Sequence, residues 1–198
     1  MSTLNTTNLK NPSSGSNNIV LNTDGTTTVP TLSSTTITGT TIQGTIKQGT
    51  SVASTSGTSI DFTGIPSWVK RITVMLKGVS TNGSSNLLVQ LGTSGGVATS
   101  NYISTSTIQT GGTVASSTAG FIVTANNGSG EILSGIILIS LFAADDWVSS
   151  ATLKSSTSAL RYSAGESALG ATLTQVRITT VNGTDTFDAG SVNILFEG

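Results

Sequence analysis

The sequence predicts an all-β protein: an extended N-terminal arm, a short intertwined stalk, and an antiparallel β-sandwich head of jelly-roll type. Three observations lead there. Residues 58–198 hold runs in which apolar and polar residues alternate with period two, the pattern of a half-buried strand, separated by Asn-Gly and Gly-Gly pairs. No stretch shows a convincing amphipathic-helix pattern. Residues 36–50, TITGTTIQGTIKQGT, repeat Gly-Thr every five residues, which suits neither a helix nor a flat strand.

The arm comes first. Residues 1–57 carry 25 Ser or Thr and only 11 Leu, Ile or Val. So few aliphatic side chains cannot offset the conformational entropy lost on ordering such a segment alone. Other chains must supply the missing contacts if it is to be ordered.

In the stalk, residues 36–57, a flat chain would turn Ile37 and Ile42 to opposite faces. Chains that wind together bring them to one shared axis, since repeats of this kind bury a core only through neighbours. Ile37, Ile42 and Ile46 are therefore the expected contacts of a trimer stalk. A flexible Gly/Thr linker is the plainer alternative.

In the head, Trp68, Lys70, Ile72, Val74 and Leu76 alternate with Val69, Arg71, Thr73, Met75 and Lys77. This phase assigns Trp68 to the core. Asn82-Gly83 then predicts a hairpin returning through Leu87–Leu91. Further strands are expected at Phe121–Ala125, Ile132–Phe142, Trp147–Leu153, Leu160–Tyr162, Leu173–Val181 and Val192–Glu197. The most apolar window, Ile132–Ala144, spans 13 residues and ends at Asp145-Asp146. A membrane-spanning helix needs about 20, so a buried strand is expected and membrane insertion is not.

The chemistry of the side chains is sparse. With 8 basic and 9 acidic residues the net charge is -1, which gives no reason to expect nucleic acid as a partner. Absence of Cys and His removes disulfides, thiolate nucleophiles and His-dependent catalysis. No calcium-loop spacing surrounds Asp185 and Asp188, and GTSGG at 92–96 reads as a turn. No catalytic, cofactor or metal site is expected. Tyr102, Trp147 and Tyr162 are the candidates for stacking on sugar rings, with Trp147 also suited to the core. Asp145, Asp146 and Glu166 are the carboxylates on which a remote alternative, a glycan depolymerase, would rest.

Two stretches resemble known phage material. NLKNPSSGSNNIVLNTDGTTTVP (residues 8–30) resembles the N-terminal segments of tail fibres and related appendages of tailed bacteriophages, and TLSSTTITGTTIQG resembles their Thr-rich shafts. The runs IDFTGIPSWVKRITVMLKGVSTNGSSNLLVQLG (60–92) and LTQVRITTVNGTDTFDAGSVNILFEG (173–198) resemble a recurrent C-terminal β-sandwich module of phage fibre-like proteins. The resemblance implies a homotrimer on the virion surface, assembled in the bacterial cytoplasm. Residues 1–35 would anchor it to other virion proteins, with Leu9, Pro12, Ile19, Val20 and Leu21 as docking contacts, and its head would project outward toward host surface polysaccharide. A tail fibre is the first expectation; a capsid-decorating head fibre or cement protein is the alternative.

Overall fold

The computed structural model describes residues 46–198 continuously and, before them, Asn8–Leu9, Ser13, Ile19–Leu21, Thr23 and Thr27–Thr28. Two compact units divide at Ile42 and Gln43. In the first, strands β1 (Asn8–Leu9), β2 (Ile19–Leu21) and β3 (Thr27–Thr28) form an antiparallel sheet in that order. Four of the five expected docking residues, Leu9, Ile19, Val20 and Leu21, thus lie on paired strands. Pro12, Ile37 and Ile42 lie outside the described residues.

The second unit is all-β and antiparallel, with no helix among the described residues. Its strands are β4 (Ile46–Gln48), β5 (Val52–Ala53), β6 (Ser59–Thr63), β7 (Arg71–Thr81), β8 (Leu87–Thr93), β9 (Gly96–Val97), β10 (Tyr102–Ile108), β11 (Val114–Ser117), β12 (Phe121–Ile122), β13 (Leu133–Ala143), β14 (Asp146–Ser155), β15 (Leu160–Ala168), β16 (Gln175–Thr180) and β17 (Phe187–Glu197). The larger sheet runs β11-β10-β15-β14-β13-β7-β17-β4, with β5 also on β17. The smaller runs β12-β8-β16-β6, with β9 on β8.

One hydrophobic cluster joins the two sheets. Ile72, Val74, Ile137, Ile139, Leu153 and Ile194 come from the larger; Ile60, Val89, Leu91, Val176 and Ile178 come from the smaller. Period-two burial follows directly: β14 alternates exposed and buried through all ten of its residues. The end of the larger sheet at Ile46, Arg71, Asp146 and Glu197 is called upper here; the end at Thr81, Leu133, Ser155 and Phe187 is lower.

Three expectations are corrected. Trp68 is 42% exposed and outside the core. A turn closed by the Val69 amide on the Pro66 carbonyl (3.1 Å) precedes β7, and Val69 is buried instead. Asn82-Gly83 joins strands of different sheets rather than closing a hairpin. The Asn82 amide donates to the Thr186 carbonyl (2.9 Å), and Asn82 Oδ1 accepts from the Thr186 amide (2.9 Å). The turn is thereby held by the 182–186 loop, not by its own return strand. Finally, β4 and β5 pair with β17, so residues 46–53, read from sequence as stalk, hydrogen-bond into the head sheet.

The β7–β17 ladder shifts register where Gly78 (φ 70°) and Gly190 (φ 89°) face each other. A Cβ at position 190 would collide with the Gly78 carbonyl, and the backbone conformation already disfavours an L side chain. Gly190→Ala is expected to cost at least about 2 kcal/mol in chemical denaturation, because steric conflict and backbone strain add there. A change within experimental error would mean that the ladder can slip at no cost.

Candidate functional site

The upper end of the larger sheet carries a cavity of about 450 Å³, bounded by Asn101, Ile103, Phe142, Asp146, Val148 and Glu166, with Tyr102 and Trp147 beneath. Local backbone explains its shape. Ala144 (φ 48°) turns the chain between β13 and β14, and the register shifts between Leu141 and Ala143. Leu141 packs against the core while Phe142 is 76% exposed. Asn101 (φ 66°) similarly leads into β10. Because Val148 pairs with Glu166 and Asp146 with Ala168, the two carboxylates lie diagonally on one face of adjacent strands. Both side chains are exposed.

Of the three aromatic residues expected to contact glycan, two belong to the core. Tyr102 is buried and meets Phe121 edge-on with ring centroids 5.1 Å apart. Its hydroxyl accepts from the Leu91 amide (2.7 Å). Burial pushes the phenol up to about 12, against the lowering effect of the Leu91 bond. Trp147 is likewise buried, in the inward phase of β14. Neither presents a ring face on which a sugar can stack, which corrects the expectation for Tyr102 and, for Trp147, agrees with the core reading. Tyr162 is exposed on the outer face of the sheet, beside Thr107 and Val114 and apart from the cavity. Ile46, the described residue of the expected stalk contacts, is exposed on β4 at the edge of the sheet.

Asp145 leaves the cavity for the hairpin bend, its carbonyl accepting from the Leu169 amide (3.0 Å). Among the described residues no group of three or more Asp and Glu side chains is placed to hold a metal ion.

The lower end is organised by a pair that sequence reading passed over. Arg161 and Glu131 form a buried ion pair, Nη2 to Oε2 at 2.5 Å. Arg161 Nη1 also donates to the Ala125 carbonyl. Glu131 accepts from the Gly128 amide (3.0 Å) and from the Thr157 hydroxyl (3.0 Å). Burial works to raise the Glu131 carboxyl. Hydrogen bonds from Arg161, Ser155, Gly128 and Thr157 outweigh it and hold the group below its ordinary value. The inward phase of Arg161 in β15 was the available signal, since an arginine at a core position requires a partner.

The same end gathers the three Asn-Gly loops. Ser129 Oγ donates to the Asn82 carbonyl (2.8 Å), and Asn127 Nδ2 donates to the Ser85 carbonyl (3.2 Å). Asp185 accepts from the Ser85 amide (2.9 Å) and from Asn182 Nδ2 (2.6 Å), binding the 82–86 loop to the 182–186 loop. On the outer face of the smaller sheet Asp61 holds both Nε and Nη2 of Arg177 (2.7 and 2.8 Å), which raises the guanidinium further.

Comparison with known proteins finds no matching family model, no matching curated protein and no matching solved structure.

Removing Arg161 leaves a buried carboxylate without its counter-charge. Arg161→Ala is expected to cost about 3–5 kcal/mol in urea denaturation. Because the Glu131 carboxyl is depressed in the folded state, its contribution is full above about pH 4.5. It is lost as pH falls through the lower folded value. Glu131→Gln should therefore differ most from wild type at neutral pH and converge with it in acid; curves that stay parallel would contradict the assignment.

Proposed function

We propose that this chain is a structural protein of a bacteriophage virion: a homotrimeric, fibre- or spike-like appendage with a β-sandwich, jelly-roll-like head. Residues 1–35 dock it to other virion proteins, and the segment leading to Ile46 gathers three copies. The observation that carries the reading is the polarity of the head. The chain joins it at the upper end, through an edge strand with Ile46 61% exposed. A cluster of loops, fastened to one another by side-chain hydrogen bonds, stands at the opposite end.

An appendage needs that arrangement: attachment at one end, and a shaped, rigid surface at the other. Binding residues are commonly carried on loops positioned by a rigid scaffold. Contact with host surface glycan falls, under this reading, to the lower loops. The Asp146–Glu166 cavity opens at the attachment end, the wrong place for first contact with a cell. The phage-like runs at 8–30, 60–92 and 173–198 supply the virion context.

Gold-labelled antibody raised against the head, viewed on intact particles, tests the reading. Label at the tail is the expected result. Label over the capsid would favour the decorating role instead, and particles free of label would defeat both.

A further inference from the structure

The larger sheet turns one face to the core, none of the described strands packs on the other, and this outer face is uncharged across its middle. Two cross-strand rows define it. One runs from Ser116 on β11 through Leu138 on β13 to Gln48 on β4. The next runs from Val114 on β11 through Tyr162, Ile136 and Met75 to Asn193 on β17. Neither row contains a charged residue.

Charges border this band on both sides. Above it lie Glu166 and the Arg71–Glu197 pair, in a row that ends at Ile46. Below it lie Lys77 and Lys154, on the exposed phase of β7 and β14. Among the described residues, six of the eleven large exposed hydrophobic side chains fall in register on this face, Val114, Ile136 and Tyr162 in the uncharged band itself. A centre without charge and with charge kept to the margin matches the depletion of charged residues in the core of a protein–protein interface.

We infer that the outer face of β10, β15, β14, β13, β7 and β17 is where the heads of neighbouring copies of this chain pack together, around an axis roughly along the strands. This rests on the three-chain reading above and names the surface that reading lacks. Two features favour a second copy as occupant. The six strands in their three rows cover roughly 29 by 20 Å, about 580 Å² in projection. That is close to the lower end, about 600 Å² per partner, of stable interfaces. The face is also continuous with the point where the arm arrives: Ile46, exposed and at the end of the upper row, begins the strand that forms its edge. Copies gathered by their stalks at Ile46 would bring these faces together. An axis along the strands then buries the uncharged band, leaving Glu166 at one end and Lys77 and Lys154 at the other in water.

The absence of native cysteine makes the test clean. In the full chain, Ser150→Cys places one thiol at the middle of the face, and Ile42→Cys places one in the proposed stalk. Both variants are treated with a flexible bis-maleimide and, separately, with a monofunctional maleimide. The inference expects inter-chain cross-linking and lost monofunctional labelling at position 150, together with cross-linking at 42. Cross-linking at 42 with a freely labelled position 150 would overturn this interface while keeping the three-chain stalk. Protection of 150 without inter-chain cross-linking would mean that the chain's own arm, or another partner, covers the face, and would also overturn it. Absence of cross-linking at both positions would overturn interface and stalk together. Ile136→Glu serves as a second probe, expected to disrupt head association with the fluorescence of buried Trp147 unchanged; preserved association would count against the inference.

Discussion

The larger sheet can bury only one of its faces against the smaller one, and most of what this molecule is follows from that limit. Ile72, Val74, Ile137, Ile139, Leu153 and Ile194 fill the inner face. A soluble monomer would solvate the opposite face with charge, yet this chain holds only 17 charged side chains in 198 residues (8 basic plus 9 acidic). Thr and Ser cover part of the outer face, and aliphatic residues occupy the rest. A face so sparing of charge is unusual for one that meets only water.

The same scarcity of charge explains how the head is fastened. The one fully buried ion pair among the described residues, Arg161–Glu131, ties the 125–131 loop to β15 and to Thr157. Its desolvation cost is high, and a well-packed apolar pair would serve stability as well or better. Its value is geometric, because a guanidinium and a carboxylate with several donors each admit few arrangements of the surrounding backbone. Asp185 acts similarly at the surface, accepting from Ser85 and Asn182 and so coupling the loops that link the two sheets. The lower end is consequently shaped before anything binds to it.

Much of the head is legible in the sequence because burial on one face imposes a period of two. The β14 strand alternates without a fault, and β7 from Ile72 to Leu76 keeps the phase read from sequence. What escapes are features in which distant segments override local signals. Asn82-Gly83 has hairpin chemistry, yet Thr186, 104 residues away, captures the Asn82 side chain. Trp68 shares a phase with Ile72, but the turn at Pro66 breaks that phase before the strand begins. Tyr102 and Trp147 have rings suited to stacking on a sugar, while their strand positions turn them inward. Arg161 and Glu131 lie 30 residues apart, and no spacing rule joins them. At the candidate assembly surface, each strand reads as ordinary half-polar alternation; the uncharged band exists only once β10, β15, β14, β13 and β7 are set side by side.

The central claim is that this chain works as several copies joined, and its mass in solution tests that most directly. Native mass spectrometry of the full-length protein, supported by sedimentation equilibrium over a range of concentrations, should find a species of three chains that persists on dilution. A single chain at every concentration, with the head folded and the outer face bare, would contradict the account.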